Sequence, residues 1–344
     1  MAQTKTVNRQ LVLAERPAGE PTMDTLRLGE AKIPSLVGQQ MLLRTVYLSL
    51  DPYMRGRMSD APFYAAPVEI GSVMVGGTVA RVVTSNVNGF SPDDWVLSFN
   101  GWQDYALSDG TGVTNLGPSP AHPSWAIGIL GMPGFTAWAG VTRIGTPKHG
   151  ETLAVAAATG PVGATVGQIG KLLGVRVVGI AGGPEKCAYV VDKLGFDACI
   201  DHKADDFAEQ LARASAKGID VYFENVGGKV LDAVLPLLNP NARMPVCGLV
   251  SQYNATALPG GPDRMNWLMG QILRKKLKVQ GFIIFDDFGD LYPEFAKEMS
   301  AWVESGQIKY REEVIDGLEN APEAFIGLLR GENFGKRVIR VGRD

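Results

Sequence analysis

A glycine-rich turn at residues 157–163 lies between an apolar run and a segment of helical period. Gly160 permits a tight turn, Gly163 lets backbone amides approach a pyrophosphate, and Gly167 lets the helix pack close to a sheet. Pro161 suits the first helical turn, where its missing N–H would have no partner. A glycine cluster is a weak signal in a chain with 42 glycines. The strand–turn–helix context nevertheless predicts a dinucleotide site over a merely structural turn.

The sequence around this turn alternates short apolar runs with segments of helical period, which is typical of βαβ units and a mainly parallel sheet. One such segment, 205–215, places Phe207, Leu211 and Ala214 on one helical face. Six strands with helices between them make a complete doubly wound sheet. The predicted strands are 152–158, 175–181, 198–202, 220–224, 243–249 and 277–284.

The first 130 residues have a different pattern. Short β-rich runs, such as 41–50 and 72–83, are separated by clusters of Gly, Pro, Asn and Asp, which predicts a compact β-rich domain. The stretch 313–341 contains turn signals and an apolar strand at 337–341, so it is a candidate to return to this domain. A chain of 344 residues exceeds one ordinary core, which favours two domains with a cleft.

Charge and cysteine content narrow the choice of partner and compartment. A formal net charge of −3 provides no broad cationic field for nucleic acid, so a small-molecule partner is expected. No apolar run reaches the roughly 18 residues that a membrane span requires. Cys187, Cys199 and Cys247 are widely spaced. They fit a reducing, cytoplasmic setting and the role of small buried residues better than a disulfide framework.

The residues after the strand at 175–181 bear on which dinucleotide is bound. An NAD enzyme usually places an acidic residue about 20 positions after the glycine turn, where it bonds the ribose hydroxyls. Ala181, Gly182 and Gly183 stand there instead, so a 2′-phosphate would meet no repulsion. Lys186 follows and can pair with that phosphate; the alternative is an exposed lysine that touches nothing. The pattern favours NADPH over NADH.

Seven segments of the chain carry a family resemblance. They are DPYMR at 51–55, MVGG at 74–77, LGMPGFT at 130–136, AATGPVG at 157–163, FENVGG at 223–228, CGLVSQYN at 247–254 and GENFGK at 331–336. Together they resemble the zinc-free branch of the medium-chain dehydrogenase/reductase superfamily. That branch includes prostaglandin reductases, leukotriene hydroxydehydrogenases, 2-alkenal reductases and, most similar, bacterial curcumin/dihydrocurcumin reductases. The resemblance extends over essentially the whole chain.

By this resemblance the fold class is α/β, with a GroES-like β-rich catalytic domain at 1–130 and 307–344. An inserted Rossmann domain, a doubly wound parallel sheet, occupies 131–306. The resemblance implies NADPH as the cofactor. Many relatives have tyrosine where His202 stands; His202 either contacts the 2′-phosphate or is an ordinary surface histidine. The implied cofactor contacts are Gly160, Pro161, Val162, Gly163, Lys186, His202, Asn225, Cys247, Gly248, Ser251, Tyr253, Phe282, Ile283, Ile284 and Asn333.

Zinc members of the superfamily take cysteine and histidine ligands from the first domain. This chain has no cysteine before Cys187, and His122, His149 and His202 are far apart. No metal site is therefore expected, and alcohol oxidation through a metal alkoxide is disfavoured. Reduction of a polarised double bond is easier without metal, because hydride addition at the β-carbon gives an enolate that a hydrogen-bond donor can stabilise.

Tyr253 is the candidate catalytic donor. It lies in the loop after the fifth predicted strand of the Rossmann domain, where carboxyl strand ends open onto a ligand crevice. Its phenol is protonated at neutral pH and can bond a developing oxyanion; the alternative is a tyrosine that only packs an apolar edge. Protonation of the α-carbon by Tyr253 stays open beside a purely orienting role. The resemblance adds Tyr53 and Tyr64 as substrate-binding candidates; the alternative is that they are core residues.

The expected activity is NADPH-dependent reduction of the carbon–carbon double bond of α,β-unsaturated carbonyl compounds, and relatives suggest a homodimer. Two other functions stay open: a zinc-free quinone reductase and a non-catalytic NADPH-binding protein. The segment 251–254 favours the alkenal branch over the quinone reductases.

Overall fold

The computed structural model describes residues 7–257 and 263–342. Among these residues, no helix is both long enough and apolar enough to cross a lipid bilayer. The strands are β1 (Val7–Leu13), β2 (Leu26–Lys32), β3 (Met41–Ser49), β4 (Thr78–Ser85), β5 (Trp95–Ser98), β6 (Tyr105–Ser108), β7 (Thr114–Gly117), β8 (Thr152–Ala156), β9 (Arg176–Ala181), β10 (Ala198–Asp201), β11 (Ile219–Phe223), β12 (Leu238–Val246), β13 (Lys278–Gly281), β14 (Glu312–Asp316) and β15 (Lys336–Arg340). The α-helices are α1 (Met54–Arg57), α2 (Met132–Ala139), α3 (Pro161–Leu172), α4 (Pro184–Asp192), α5 (Phe207–Ala214), α6 (Gly228–Val234), α7 (Met265–Lys275), α8 (Ile284–Phe288), α9 (Tyr292–Glu304) and α10 (Ala321–Leu329).

The chain divides into two compact units. The first runs as far as Gly128 and resumes at Glu312, and the second is the continuous segment Ile129–Arg311. In the first unit, the described strands form a sheet in the order β14-β15-β3-β4-β5-β7, with β6 also paired to β3. Only the β14–β15 pair of this sheet is parallel within the described residues. Because β15 pairs with β3, the C-terminal segment helps to complete a sheet begun near residue 41.

In the second unit, the described strands form a parallel sheet in the order β10-β9-β8-β11-β12-β13. The strand order reverses between β8 and β11, and doubly wound sheets bind ligands at the carboxyl ends of the strands beside such a reversal. β8 is buried along its whole length, as expected for a central strand covered on both faces. The predicted combination of a β-rich domain with a doubly wound Rossmann sheet is confirmed.

Several predicted strand limits were wrong. β8 ends at Ala156 rather than at 158, because Ala157 has φ 53° and turns the chain. β12 ends at Val246 rather than at 249, because Val246 makes the last parallel bridge, to Glu224, and the Gly248 N–H then bonds the same Glu224 carbonyl and leaves the ladder. β13 ends at Gly281, and Ile284 already belongs to α8. In the first unit, β4 begins at Thr78, so the first half of the predicted run 72–83 precedes it.

Candidate functional site

The carboxyl ends of β8 and β11 meet where the strand order reverses. The side-chain amide of Asn225 donates to the carbonyl oxygen of Ala156 over 2.9 Å. This bond joins the turn after β11 to the start of the glycine turn after β8. Ligands of such sheets bind outside this edge, so we take the turns that follow β8, β9, β11, β12 and β13 as the candidate site.

The glycine turn leads directly into α3, and its geometry differs in part from the prediction. Gly160 has an ordinary φ of −72°, and the left-handed residue of the turn is Ala157. A Cβ on Gly163 would lie 2.3 Å from the carbonyl oxygen of Ala157, and one on Gly167 would lie 1.8 Å from the ring of Phe196. Gly163 thus lets the helix start directly on the turn, and Gly167 makes room for an aromatic ring rather than for strand backbone.

The first turn of α3 is suited to an anion. Val162 and Gly163 lie in that turn, where N–H groups have no acceptor within the helix. The helix dipole adds partial positive charge there. The first turn contains no acidic residue, so no carboxylate within it opposes a pyrophosphate.

Basic side chains surround the ends of β9 and β10. Lys186 lies in the first turn of α4 and is half-buried. A Cβ on Gly182 would lie 3.0 Å from Nε2 of His202 and 3.3 Å from Cε of Lys203, so both side chains lie against the strand tip. Burial, followed by the charge of Lys229, lowers the pKa of His202. These groups form a place where an anion such as a 2′-phosphate would be attracted. The sequence did not point to Lys203 or Lys229.

Glu224 organises the turn after β11 and was not among the predicted site residues. It is 1% exposed, and its Oε1 accepts from the N–H groups of Val226 and Gly227 at 2.6 and 2.9 Å and from the Tyr222 hydroxyl at 3.1 Å. Burial raises the pKa of Glu224 despite these bonds. Gly227 has φ 75°, which favours glycine at this turn. The sequence signal that could have identified Glu224 is its position as an acidic residue at the end of an apolar strand.

The loop after β12 is tied to the turn after β11. Val250 N–H donates to the carbonyl oxygen of Asn225 over 3.1 Å. The N–H and hydroxyl of Ser251 both donate to the carbonyl oxygen of Val226, over 3.0 and 2.6 Å. The turn and the loop therefore form one connected structure. Its members among the predicted cofactor contacts are Asn225, Cys247, Gly248, Ser251 and Tyr253.

The phenol of Tyr253 lies against Gly248. Its oxygen is 3.1 Å from the place that a Cβ on Gly248 would occupy, so a larger residue there would crowd the hydroxyl. Burial raises the pKa of Tyr253, and a hydrogen bond from the backbone N–H of Leu249 opposes this rise. The phenol is therefore protonated at neutral pH. A phenol hydroxyl both donates and accepts, so its proton is available for donation to a ligand.

The segment 282–284 follows β13. Phe282 is buried and meets Phe223 edge-on, with ring centroids 6.4 Å apart. Ile284 is also buried, whereas Ile283 is partly exposed. The side chains of Phe282 and Ile284 thus belong to the interior of the second unit. A cofactor contact here would come from backbone groups or from Ile283.

In the first unit, Tyr53 and Tyr64 lie before and after α1. Tyr53 is partly buried, and burial, followed by the charge of Asp51, raises its pKa. Tyr64 is 53% exposed and packs on Phe63, with ring centroids 4.0 Å apart. An exposed aromatic pair offers a surface to a flat apolar ligand.

The segments 51–55 and 331–336 are joined inside the first unit. Lys336 is 1% exposed; its ammonium donates to the carbonyl oxygen of Leu50 over 2.7 Å and pairs with Asp51 over 2.8 Å. The Ser49 hydroxyl donates to the other oxygen of that carboxylate. The predicted cofactor contact Asn333 is buried and donates to the carbonyl oxygen of Gly335 over 2.9 Å. Asn333 thus shapes the approach to β15.

Within the described ranges, no group of three or more His, Cys, Asp or Glu side chains is arranged to hold a metal ion. His122 stacks on Trp125, with ring centroids 3.9 Å apart. That the working protein contains no zinc stays a prediction.

The comparisons with known proteins all match this chain to oxidoreductases. Two family models match: N-terminal domain of oxidoreductase at residues 9–116 and zinc-binding dehydrogenase at residues 161–304. The chain is 63% identical over 344 residues to an NADPH-dependent curcumin reductase of Escherichia coli K12, with 100% of both chains covered. It is 37% identical over 343 residues to a 2-alkenal reductase (NADP(+)-dependent) of Nicotiana tabacum, with 98% of both chains covered. The crystal structure of CurA from Vibrio vulnificus in complex with NADPH has 62% identity and a TM-score of 0.96, and the match covers 98% of this chain and 100% of that one.

The second family description contains the word zinc, but the match to it does not indicate a metal site in this chain. Its match, residues 161–304, lies in the second unit, whereas the zinc ligands of the superfamily were expected in the first domain. The family resemblance inferred from the seven sequence segments is confirmed. The full-length identities, the two family models and the shared fold show that this chain belongs to the medium-chain dehydrogenase/reductase family.

Proposed function

We propose that this chain uses NADPH to reduce the carbon–carbon double bond of α,β-unsaturated carbonyl compounds, with hydride delivered to the β-carbon. The observation that carries the proposal is the protonated phenol of Tyr253, held against Gly248 on the loop after β12. The relatives named for NADPH-dependent curcumin reduction and for 2-alkenal reduction match over nearly their whole length. An alkenal contains the conjugated double bond and carbonyl that this chemistry requires.

The residues of the second unit fit NADPH. The first turn of α3 presents the N–H groups of Val162 and Gly163 to a pyrophosphate, beside Gly160 and Pro161. Lys186, His202, Lys203 and Lys229 would surround a 2′-phosphate. When bound, NADPH supplies the hydride. Asn225, the 247–253 loop and the 282–284 segment would bound the nicotinamide end.

Tyr253 acts on the carbonyl oxygen of the substrate. As hydride reaches the β-carbon, negative charge develops on that oxygen, and the phenol donates a hydrogen bond to it. The loop that carries the phenol is tied to the turn after β11 by the bonds of Val250 and Ser251, so the donor is held in place before substrate arrives. The α-carbon then takes a proton from solvent, either directly or through the phenol. In the first unit, we propose Tyr53 and Tyr64 as substrate contacts and Asn333 as a cofactor contact.

We infer a homodimer that forms along the edge of the parallel sheet. β13 is at the end of the strand order, and all its residues are exposed. The preceding helix α7 exposes Met265, Met269 and Leu273. An unpaired strand edge beside apolar side chains is a surface that a second copy can cover. Light scattering should give twice the chain mass, and a monomer at assay concentration would refute the inference.

Free cysteines support a cytoplasmic location, because disulfides are rare in a reducing compartment.

The activity is tested by NADPH oxidation with a plain enone, with a quinone and with no substrate, measured side by side. We expect turnover with the enone, and NADPH deuterated at the transferred position should place the label at the β-carbon. Turnover of the quinone alone would indicate a quinone reductase. Binding of NADPH with no turnover of any enone, from short alkenals to curcumin, would indicate a non-catalytic NADPH-binding protein.

A further inference from the structure

Cys187 on α4 and Cys199 on β10 lie side by side. Their sulfur atoms are 3.0 Å apart, although the residues are 12 positions apart in the sequence. Both thiols are free and half-buried. Their wide spacing had suggested two separate buried residues. The structure brings them together because α4 packs against β10.

The two thiols are chemically unequal. The Cys199 S–H donates to the sulfur of Cys187, and this bond, with a weaker one from the backbone N–H of Ala181, lowers the pKa of Cys187. The same bond, followed by burial, raises the pKa of Cys199. Thiolate character makes a cysteine nucleophilic. Cys187 also lies near the N-terminus of α4, where the helix dipole favours a thiolate. We therefore take Cys187 as the attacking thiol and Cys199 as the thiol that resolves what forms on it.

The elements that carry the two sulfurs are already fastened together. β9 and β10 pair up to Ala181 and Asp201. Gly183 N–H, just before α4, donates to Oδ1 of Asp201 over 2.8 Å. Disulfide formation requires sulfurs on elements held close to each other. Only a small movement of the first turns of α4 is needed here.

We propose that Cys187 and Cys199 form a reversible disulfide on reaction with a hydroperoxide, and that this disulfide weakens NADPH binding. No comparison or sequence motif assigns a modification at this pair. The proposal that this disulfide forms rests on the distance between the two sulfur atoms. Its effect on the cofactor rests on the proposed position of the 2′-phosphate.

The chemistry balances with hydrogen peroxide as the oxidant. The Cys187 thiolate attacks one peroxide oxygen, the O–O bond breaks, and Cys187 becomes a sulfenic acid while hydroxide leaves. The Cys199 sulfur then attacks the Cys187 sulfur and displaces its hydroxyl group, which leaves as water with the Cys199 proton. Two thiols lose two electrons, and one peroxide becomes two molecules of water. A dithiol reductant reverses the change by thiol–disulfide exchange.

The disulfide would alter the cofactor site through Lys186. This lysine directly precedes Cys187 in α4, and His202 follows the end of β10. When Cys187 is drawn toward Cys199, Lys186 moves with its turn of helix, and its pairing with a 2′-phosphate is weakened. We expect the Kd for NADPH to rise about tenfold, which equals about 1.4 kcal/mol. NADH has no 2′-phosphate, so its Kd should be unchanged.

The test uses the purified full-length chain treated with about one equivalent of hydrogen peroxide per chain, followed by thiol alkylation and mass spectrometry under denaturing conditions. One disulfide lowers the mass by about 2 Da and consumes two thiols. Peptide mapping should join 187 to 199, and dithiothreitol should reverse the change. Fluorescence titration of the oxidised and reduced forms then measures the Kd for NADPH and for NADH.

Serine variants provide matched controls. Cys187→Ser and Cys199→Ser should each abolish the crosslink and the change in NADPH affinity, and Cys199→Ser should accumulate a sulfenic acid that dimedone traps. Cys247→Ser should still form the crosslink. If a variant fails to fold, peptide mapping of the oxidised parent protein shows whether Cys187 and Cys199 are crosslinked. Cys247 in the same chain is then the internal reference for a cysteine outside the pair.

Four results would overturn the proposal: oxidation at Cys247 first, a crosslink between chains, sulfinic acid on Cys187 without a crosslink, or a crosslink that leaves NADPH affinity unchanged. The mass measurement needs no turnover. A chain that forms the disulfide but reduces no enone would therefore contradict the proposed function and leave the disulfide standing.

Discussion

Replacement of Tyr253 by phenylalanine removes the hydroxyl, whose oxygen lies beside Gly248, and keeps the aromatic ring. The loop that carries the phenol is tied to the turn after β11 through Ser251, and burial keeps the phenol proton in place. It is thus a preorganised donor, and loss of such a donor costs about 10²- to 10³-fold in turnover, or about 2.7 to 4 kcal/mol. We expect Tyr253→Phe to lower kcat by this factor. NADPH affinity should stay nearly unchanged, because no cofactor-facing volume is lost.

The assay should follow single-turnover oxidation of NADPH with the best enone, so that hydride transfer and not product release sets the rate. Tyr189→Phe is the matched control, because it removes a phenol from the same unit on α4, away from the loop after β12. It should leave the rate unchanged. Deuterium from labelled NADPH should still appear at the β-carbon in the residual turnover of Tyr253→Phe.

The pH profile gives an independent check. Activity requires the protonated phenol, and burial raises the pKa of Tyr253 above its usual value of about 10. The rate should therefore hold as pH rises to about 10 and fall only above it. If Tyr253→Phe reduces the enone as fast as the parent when hydride transfer is rate-limiting, the phenol is only part of a pocket wall and the catalytic assignment fails.

Three further outcomes are expected. Lys186→Ala should raise KM for NADPH by about 10- to 100-fold, since a charge-assisted phosphate contact contributes about 1.5 to 3 kcal/mol; equal losses with NADH would remove this lysine from the 2′-phosphate site. Exhaustive chelation should leave activity intact, and metal analysis should find no stoichiometric zinc; activity lost with one zinc per chain would contradict the metal-free mechanism. Lys336→Met should lower the free energy of unfolding by about 3 to 5 kcal/mol, because Asp51 stays buried without its cation. Urea denaturation measures this loss, and a change below about 1 kcal/mol would show that Asp51 finds another partner or a proton.

The parts of the fold that could be predicted have local signals. The central strand β8 is apolar from Leu153 to Ala156, and the glycines after it stand in a strand–turn–helix context that indicates a dinucleotide site. Helix α5 shows its buried face through Phe207 and Leu211, four positions apart. Such patterns require only near neighbours in sequence, so the doubly wound sheet was predictable strand by strand.

The missed features depend on where distant backbone segments pass. The charge of Lys229 on α6 acts on His202 after β10, and no spacing in the sequence encodes this relation. The left-handed residue of the glycine turn is Ala157, whereas glycine is the residue that adopts this conformation at low cost. Sequence reasoning therefore assigned the tight turn to Gly160. The end of β12 was misplaced for a similar reason, because the last parallel bridge joins Val246 to Glu224 and the Gly248 N–H then bonds the same Glu224 carbonyl.

The pairing of β15 with β3 has a consequence for how the chain emerges from the ribosome. Asp51 and the ammonium of Lys336 are separated by 285 residues, so a nascent chain carries the carboxylate long before its cation exists. The second unit is continuous and can fold while synthesis proceeds, as domains commonly do. Until β15 is translated, the edge of β3 that it covers stays open to other strands. The first unit is therefore begun first and completed last, and it is the part of the nascent protein most exposed to misassembly and chaperone capture.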